Sequence, residues 1–260
     1  MREPILKYYD MTPNVTAFSS TRHGGFSEGN YGSFNVNCYC GDDAGHIREN
    51  REILCRKLHI RPNRLVMPHQ VHGVVVKKID EAFLSLSEEE RRESLEGVDA
   101  LITQEQYTCL GISTADCVPI LLYDGASHSI AAVHAGWRGT QQRIVEKTIA
   151  EMDRQLGVSA TNLVAAIGPS IGVDAFEVGP EVYESFQSAG FGMESISKKI
   201  SGKWHIDLWQ ANMQSLERVG VAKENIQLSG ICTYTHSDDF FSARKLTIHS
   251  GRILSGIIQR

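Results

Sequence analysis

Three segments of this chain share one build, in which an apolar run hands a reactive side chain to a tight turn of glycine or other small residues. They are Met67-Pro68-His69-Gln70-Val71-His72-Gly73, Ser113-Thr114-Ala115-Asp116-Cys117-Val118-Pro119 and Ala132-Val133-His134-Ala135-Gly136-Trp137-Arg138-Gly139. Strand ends are where a rigid scaffold can hold several side chains at a shared point. His72, Cys117 and His134 would there supply two imidazoles and a thiolate, a zinc ligand set with a fourth position left for water or substrate. Taken singly, each histidine reads as a hydrogen-bonded structural imidazole. Three segments of the same build favour a common site, whose members can meet only through the fold.

Other side chains compete for roles. His69 and His72 look like a local metal clamp, but residues three apart on a strand face opposite ways, so His69 reaches the same ion only across a turn. Asp116 either orients a ligand imidazole or bonds nearby backbone amides. Arg22, Ser27, Asn35 and Arg51 lie in a glycine-rich N-terminal region that could cradle an anion, with a guanidinium gripping it bidentately. Surface arginines on a loop and a helix are the plainer reading. Arg138 and the helix expected near Thr140 offer another anion-friendly feature, the free amides of a helix start. Cys38-Tyr39-Cys40 lacks the two-residue gap of a zinc knuckle and reads as ordinary thiols.

The elements that must position these groups follow from periodicity. Strands are expected over Val15 to Ser19, Leu65 to Met67, Val74 to Ile79, Ala100 to Thr103, Pro119 to Tyr123, Ile130 to His134 and Leu163 to Ile167. From Thr140 to Leu156, residues Ile144, Val145, Thr148, Ile149, Met152 and Leu156 form one helical stripe, with Thr140 as N-cap. A second helix is expected after Asp207, ending at Gly220, and a short third one from a Ser87/Glu90 capping box to Gly97. Strands outnumber helices without regular alternation. The fold class expected is therefore α+β, a layered single domain over residues 1–260 with mixed β-sheets flanked by helices.

Composition sets the outer bounds. With 42% hydrophobic and 22% charged residues, the 260-residue chain is ordinary globular protein with enough apolar mass for a large core. No linker-like stretch and no fixed-period repeat divides it. A net charge of −5 gives no general pull toward phosphate backbones or anionic lipid, so neither nucleic acid nor membrane is an expected partner. The charged N-terminal stretch lacks an apolar export core, which points to the cytoplasm, and six cysteines there would stay reduced.

Gln70-Val71-His72-Gly73, Thr114-Ala115-Asp116-Cys117, His134-Ala135-Gly136-Trp137-Arg138-Gly139 and Ile167-Gly168-Pro169-Ser170-Ile171 closely resemble motifs of the YfiH/laccase-domain family. That family is also called multicopper polyphenol oxidoreductase, purine nucleoside phosphorylase or peptidoglycan editing factor. The likeness continues through Thr21 to Ser27, Asn50-Arg51, Cys232-Thr233, Phe240 to Arg244 and Gly251-Arg252, nearly the whole chain. Ala243 departs from it, since relatives often carry an aromatic residue there. The resemblance implies that His72, Cys117 and His134 form the catalytic and zinc-binding set within a layered α+β fold. It further implies purine nucleosides and phosphate as partners: phosphorolysis of adenosine, inosine, guanosine or methylthioadenosine, a transferase reaction, with adenosine deamination, a hydrolase reaction, also attributed to the family.

Phosphorolysis needs a placed phosphate, here expected at Arg51 with Asn35 and Ser27, and a proton or electrophile at the departing purine, expected from His72 or His134. Deamination needs an activated water, which a Cys/His/His zinc can supply. The chain lacks the familiar zinc deaminase signature, which leaves Glu177 as the weak candidate for an assisting carboxylate. A metal-free alternative makes Cys117 a nucleophile activated by His134 for amide cleavage, as in editing of peptidoglycan precursors. Copper is the weaker metal, because one Cys/His2 set falls short of a multicopper cluster. A non-enzymatic metal-holding scaffold is the remaining class.

Overall fold

A computed structural model describes residues 2–260. Five strands form one sheet, in spatial order Leu6–Tyr9, Val15–Ser20, Ile253–Gln259, Cys109–Thr114 and Leu65–Val66. Six form another, in order Ile226–Leu228, Leu163–Ile167, Val118–Asp124, Ser129–Ala135, Ala100–Thr103 and Val76–Lys78. Both sheets are mixed: Leu65–Val66 lies parallel to its neighbour, as do Ile226–Leu228 and Val76–Lys78. A small third sheet joins Glu177–Val178, Lys203–Ile206 and Ser197–Ile200. The expected α+β layering is what the chain adopts.

Side-chain alternation explains the layers. Along Val118–Asp124, Leu121 and Tyr123 point to the five-stranded sheet, where they share a core with Ala17, Leu110, Ile112 and Ile257. Ile120 and Leu122 point the other way, against Ile144, Val145, Ile149 and Met152 and against Leu208, Ala211 and Leu216. The outer face of the five-stranded sheet carries Phe18, Leu254 and Ile258 against Leu54 of the helix Ala44–Lys57 and Leu58 just after it. Helix, sheet, sheet and helices therefore stack in four layers. With both faces covered, every residue of Val118–Asp124 and Ser129–Ala135 is buried.

Several elements follow their sequence signals closely. Ser87 and Glu90 close a capping box on the helix Glu88–Ser94, and Asp207 caps Leu208–Arg218 by accepting from the amide of Gln210. The Thr140 to Leu156 helix needs correction. It is two helices, Trp137–Gln141 and Ile144–Leu156, broken at Arg143, whose φ is +67°. Arg143 is held at the break by the carbonyl of Ala189 at 2.9 Å and by the Phe191 ring beneath its guanidinium. Thr140 is thus not an N-cap; it sits inside the first helix, its hydroxyl bonded back to the carbonyl of Ala135. The strands expected over Val74 to Ile79 and Leu65 to Met67 are also shorter, at Val76–Lys78 and Leu65–Val66.

Periodicity does not mark Cys109–Thr114 or Ile253–Gln259, although both run through the middle of the five-stranded sheet. Glycines interrupt their apolar pattern, and packing is the reason they are there. Gly111 and Gly256 face each other across the ladder. A methyl group on Gly256 would lie 2.7 Å from the Phe18 ring, and one on Gly111 would lie 2.7 Å from Leu254. The glycine pair makes room for two large residues of the outer core.

Because Ile120 is fully buried at the centre of the six-stranded sheet, Ile120→Ala should lower unfolding free energy by about 2–5 kcal/mol. A urea midpoint that falls with an unchanged m-value would show this. An unshifted midpoint would mean that the strand is not central to the core.

Candidate functional site

The register of the six-stranded sheet brings distant residues to one end of it. Ser129–Ala135 runs antiparallel to Val118–Asp124, with Pro119 opposite His134, so Cys117, just ahead of the first strand, meets His134, near the end of the second. Ala100–Thr103 is also antiparallel to Ser129–Ala135, which puts Asp99 at the same end. Val76–Lys78 runs parallel to Ala100–Thr103, and the turn leading into it carries His72. Four chain segments therefore deliver side chains to one end of the sheet.

There the ligating atoms of His72, Cys117 and His134 all lie within 4.8 Å of one another, the one such grouping of three among the described residues. The rings of His72 and His134 meet edge to face, centroids 4.8 Å apart. His134 is buried, Cys117 half-buried and His72 exposed, so the cluster opens to solvent on the His72 side. His72 and Asp116 both hold left-handed backbone, φ +63° and +86°, in the turns that aim His72 and Cys117. Gly136 forms the floor: a methyl group there would sit 2.8 Å from His72 Cδ2 and 3.1 Å from Cys117 Sγ.

Asp99 connects the parts. Its Oδ1 accepts from His134 Nδ1 at 2.7 Å and from the amide of His72 at 3.0 Å, while Oδ2 accepts from the amides of Gly73 and Val71 at 2.7 and 3.3 Å. Gln70 braces the same turn from the other side, exchanging two hydrogen bonds with the backbone of Ser113. Burial works against the Asp99 carboxylate, but His134 and these amides outweigh it and hold its pKa below the usual aspartate value.

Burial also works against a Cys117 thiolate, yet His134 and His72 beside the sulfur bring the thiol down to about 6. For His134, burial opposes the charged form, and Cys117 followed by Asp99 overcomes it, taking the imidazole up to about 9. The two shifts belong to one proton-sharing pair, a thiolate against an imidazolium. A soft metal suits this set. Asp99 occupies Nδ1 of His134, which leaves Nε2 for coordination beside Cys117 and His72.

The other expected residues lie outside the cluster. His69 is paired through Nδ1 with Glu96 at 2.7 Å and its ring stacks on Tyr39, centroids 4.0 Å apart. Asp116 takes the amide-bonding role of its two: Oδ1 accepts from Thr233 and Oδ2 from the amide of Arg244, each at 2.7 Å. The Glu177 carboxylate is exposed and paired with Lys203 at 2.7 Å. Ser27 and Asn35 are buried, and both donate to the carboxylate of Asp42, at 2.6 and 2.8 Å. Arg51 donates Nε to the carbonyl of Val36, with Nη2 3.6 Å from Cys38 Sγ. Arg22 bonds the carbonyls of Gly32 and Ser237. Arg138 lies over Trp137, and its helix is a single short turn. Asp99 carries no motif of its own; its signal is an aspartate directly ahead of the wholly apolar start of Ala100–Thr103.

Residues 16–260 match the family model described as multi-copper polyphenol oxidoreductase laccase. The chain belongs to that family. It is 52% identical over 247 residues to a protein of Bacteroides thetaiotaomicron named purine nucleoside phosphorylase, covering 94% of this chain and 92% of the relative. It is 42% identical over 257 residues to one from an unknown prokaryote named adenosine deaminase, covering 98% of each. The fold of this laccase-like member superposes on the crystal structure of YfiH from Bacillus licheniformis with a TM-score of 0.92 at 26% identity, over 99% of this chain and 97% of the other.

Alkylation of Cys117 in metal-free protein should follow the thiolate, with its rate rising through pH of about 6 rather than through the ordinary thiol range. Peptide mapping separates Cys117 from the exposed Cys38. An inflection for Cys117 near that of a free thiol would contradict the ion pair with His134.

Proposed function

We propose that this chain is a purine nucleoside phosphorylase whose His72, Cys117 and His134 form the catalytic and metal-binding set, with zinc as the resident ion. The observation that carries this reading is the cluster itself, a soft donor set that opens to solvent at an exposed histidine. The likeness to the Bacteroides protein, over nearly the full length of both, supports the nucleoside assignment.

In phosphorolysis the bond from C1′ of the pentose to N9 of the purine breaks, and one from C1′ to a phosphate oxygen forms. The departing purine takes the electron pair and needs a proton. His72, exposed at the mouth of the cluster, is proposed to face the departing base, while His134 stays fixed by Asp99. Zinc, when bound, supplies Lewis-acid charge beside the departing base. Arg51 is the proposed phosphate contact, through the guanidinium edge not used on Val36. Asn35 and Ser27, expected beside it, are proposed to act by shaping that loop, since both already hold Asp42.

Adenosine deamination is the second reading, favoured by the relative that bears that name. Phenol oxidation by a multicopper centre has less support, because one Cys/His2 group is too few ligands for several coppers. No helix among the described residues is long and apolar enough to cross a membrane. We place the activity in the cytoplasm, on nucleosides and phosphate.

Zinc-loaded protein should release hypoxanthine from inosine only when phosphate is present, with pentose 1-phosphate as the second product. Cys117→Ser should lower both zinc content and turnover per folded molecule, because a hydroxyl is a hard, poorly ionised replacement for a thiolate. Ammonia from adenosine without phosphate would instead identify a deaminase. Amide cleavage indifferent to chelators would identify a cysteine hydrolase. Zinc binding without turnover of any of these substrates would leave only a scaffold and overturn the proposal.

A further inference from the structure

Asp99 is fully buried, and each of its two oxygens serves a different part of the cluster. Oδ1 holds the His134 ring and the amide of His72, whereas Oδ2 holds the amides of Gly73 and Val71. Its own carbonyl accepts from the amide of His134 at 2.9 Å. The His72 turn therefore has three successive amides aimed at one carboxylate, and the His72 backbone is left-handed so that they can converge.

We propose that Asp99 is the positioning residue that sets two of the three metal ligands together, His134 through its ring and His72 through its backbone turn. It touches neither the metal position nor substrate. This deepens the functional reading above in its metal-binding part and is independent of which nucleoside is used. Two consequences follow from its geometry. First, a carboxylate at Nδ1 requires that nitrogen to carry the proton, which fixes the tautomer that presents Nε2 to Cys117 and the ion. Second, both oxygens must accept. An asparagine has one acceptor and one donor, so whichever way its amide is turned, an NH2 group faces either His134 Nδ1–H with the His72 amide or the amides of Gly73 and Val71.

Asp99→Asn keeps the side-chain volume and tests this directly. Apo protein titrated with zinc against a competing chelator should show an affinity about 10–100-fold below wild type. Cobalt(II) in place of zinc should lose the intensity of its tetrahedral visible bands. Where wild type turns over inosine, the variant's loss should fall on kcat more than on the nucleoside KM. A well-folded Asp99→Asn protein with wild-type zinc affinity would overturn the proposal. Should the variant not fold, nitrogen-15 spectra of wild-type histidine side chains still decide: the proposal requires His134 protonated at Nδ1 with a slowly exchanging proton, and an unprotonated Nδ1 would contradict it. Neither the zinc titration nor these spectra involve a nucleoside. A wild type that binds zinc as described but leaves inosine intact would defeat the phosphorylase reading alone.

Discussion

A carboxylate with no contact to water has either to gather donors or to lose its charge. Asp99 gathers them: one imidazole nitrogen and three consecutive backbone amides, all from segments that carry or adjoin a member of the cluster. The same electrostatic requirement therefore fixes the His72 turn and turns His134 toward Cys117. Cys117 in turn is acidified by the two histidines that this arrangement places beside it. Placement of one buried charge thus propagates into the protonation of His134 and Cys117.

The sheet makes this possible by register alone. Antiparallel pairing of Ala100–Thr103, Ser129–Ala135 and Val118–Asp124 alternates starts and ends, so that Asp99, His134 and Cys117 share one end of the sheet despite their separation in sequence. All three strands are buried on both faces, which gives that end a stiff base. The chain passes from the five-stranded sheet into the six-stranded one through Ala115, Asp116 and Cys117, and Asp116 ties that crossing to Thr233 and Arg244. Tight anchoring around the cluster contrasts with the exposure of His72, the one member open to an incoming ligand.

The three cluster residues were legible in sequence because each ends an apolar run in a turn of small residues, and the layered α+β class was legible from the excess of strands. Strands built on unbroken apolar runs, such as Ala100–Thr103 and Leu163–Ile167, appear at their expected bounds. Those containing Gly111 and Gly256 escape the pattern because their glycines answer to Phe18 and Leu254, distant in sequence. Arg143 splits a helix whose hydrophobic stripe is continuous, for its left-handed backbone is held by Ala189 and Phe191, contacts that periodicity does not contain. Asp99 escaped for the same reason: its meaning lies in donors from residues 71–73 and His134. Ser27 and Asn35 read as loop donors free to meet an anion, and only the fold reveals that Asp42 already meets them.

The proposed function needs His72, Cys117 and His134 to hold one zinc ion together. X-ray absorption at the zinc edge of the purified, metal-loaded protein measures that shell directly. The account predicts one sulfur at about 2.3 Å and two imidazole nitrogens at about 2.0–2.1 Å, with a lighter fourth ligand. A shell without sulfur, or with more than one, would contradict it.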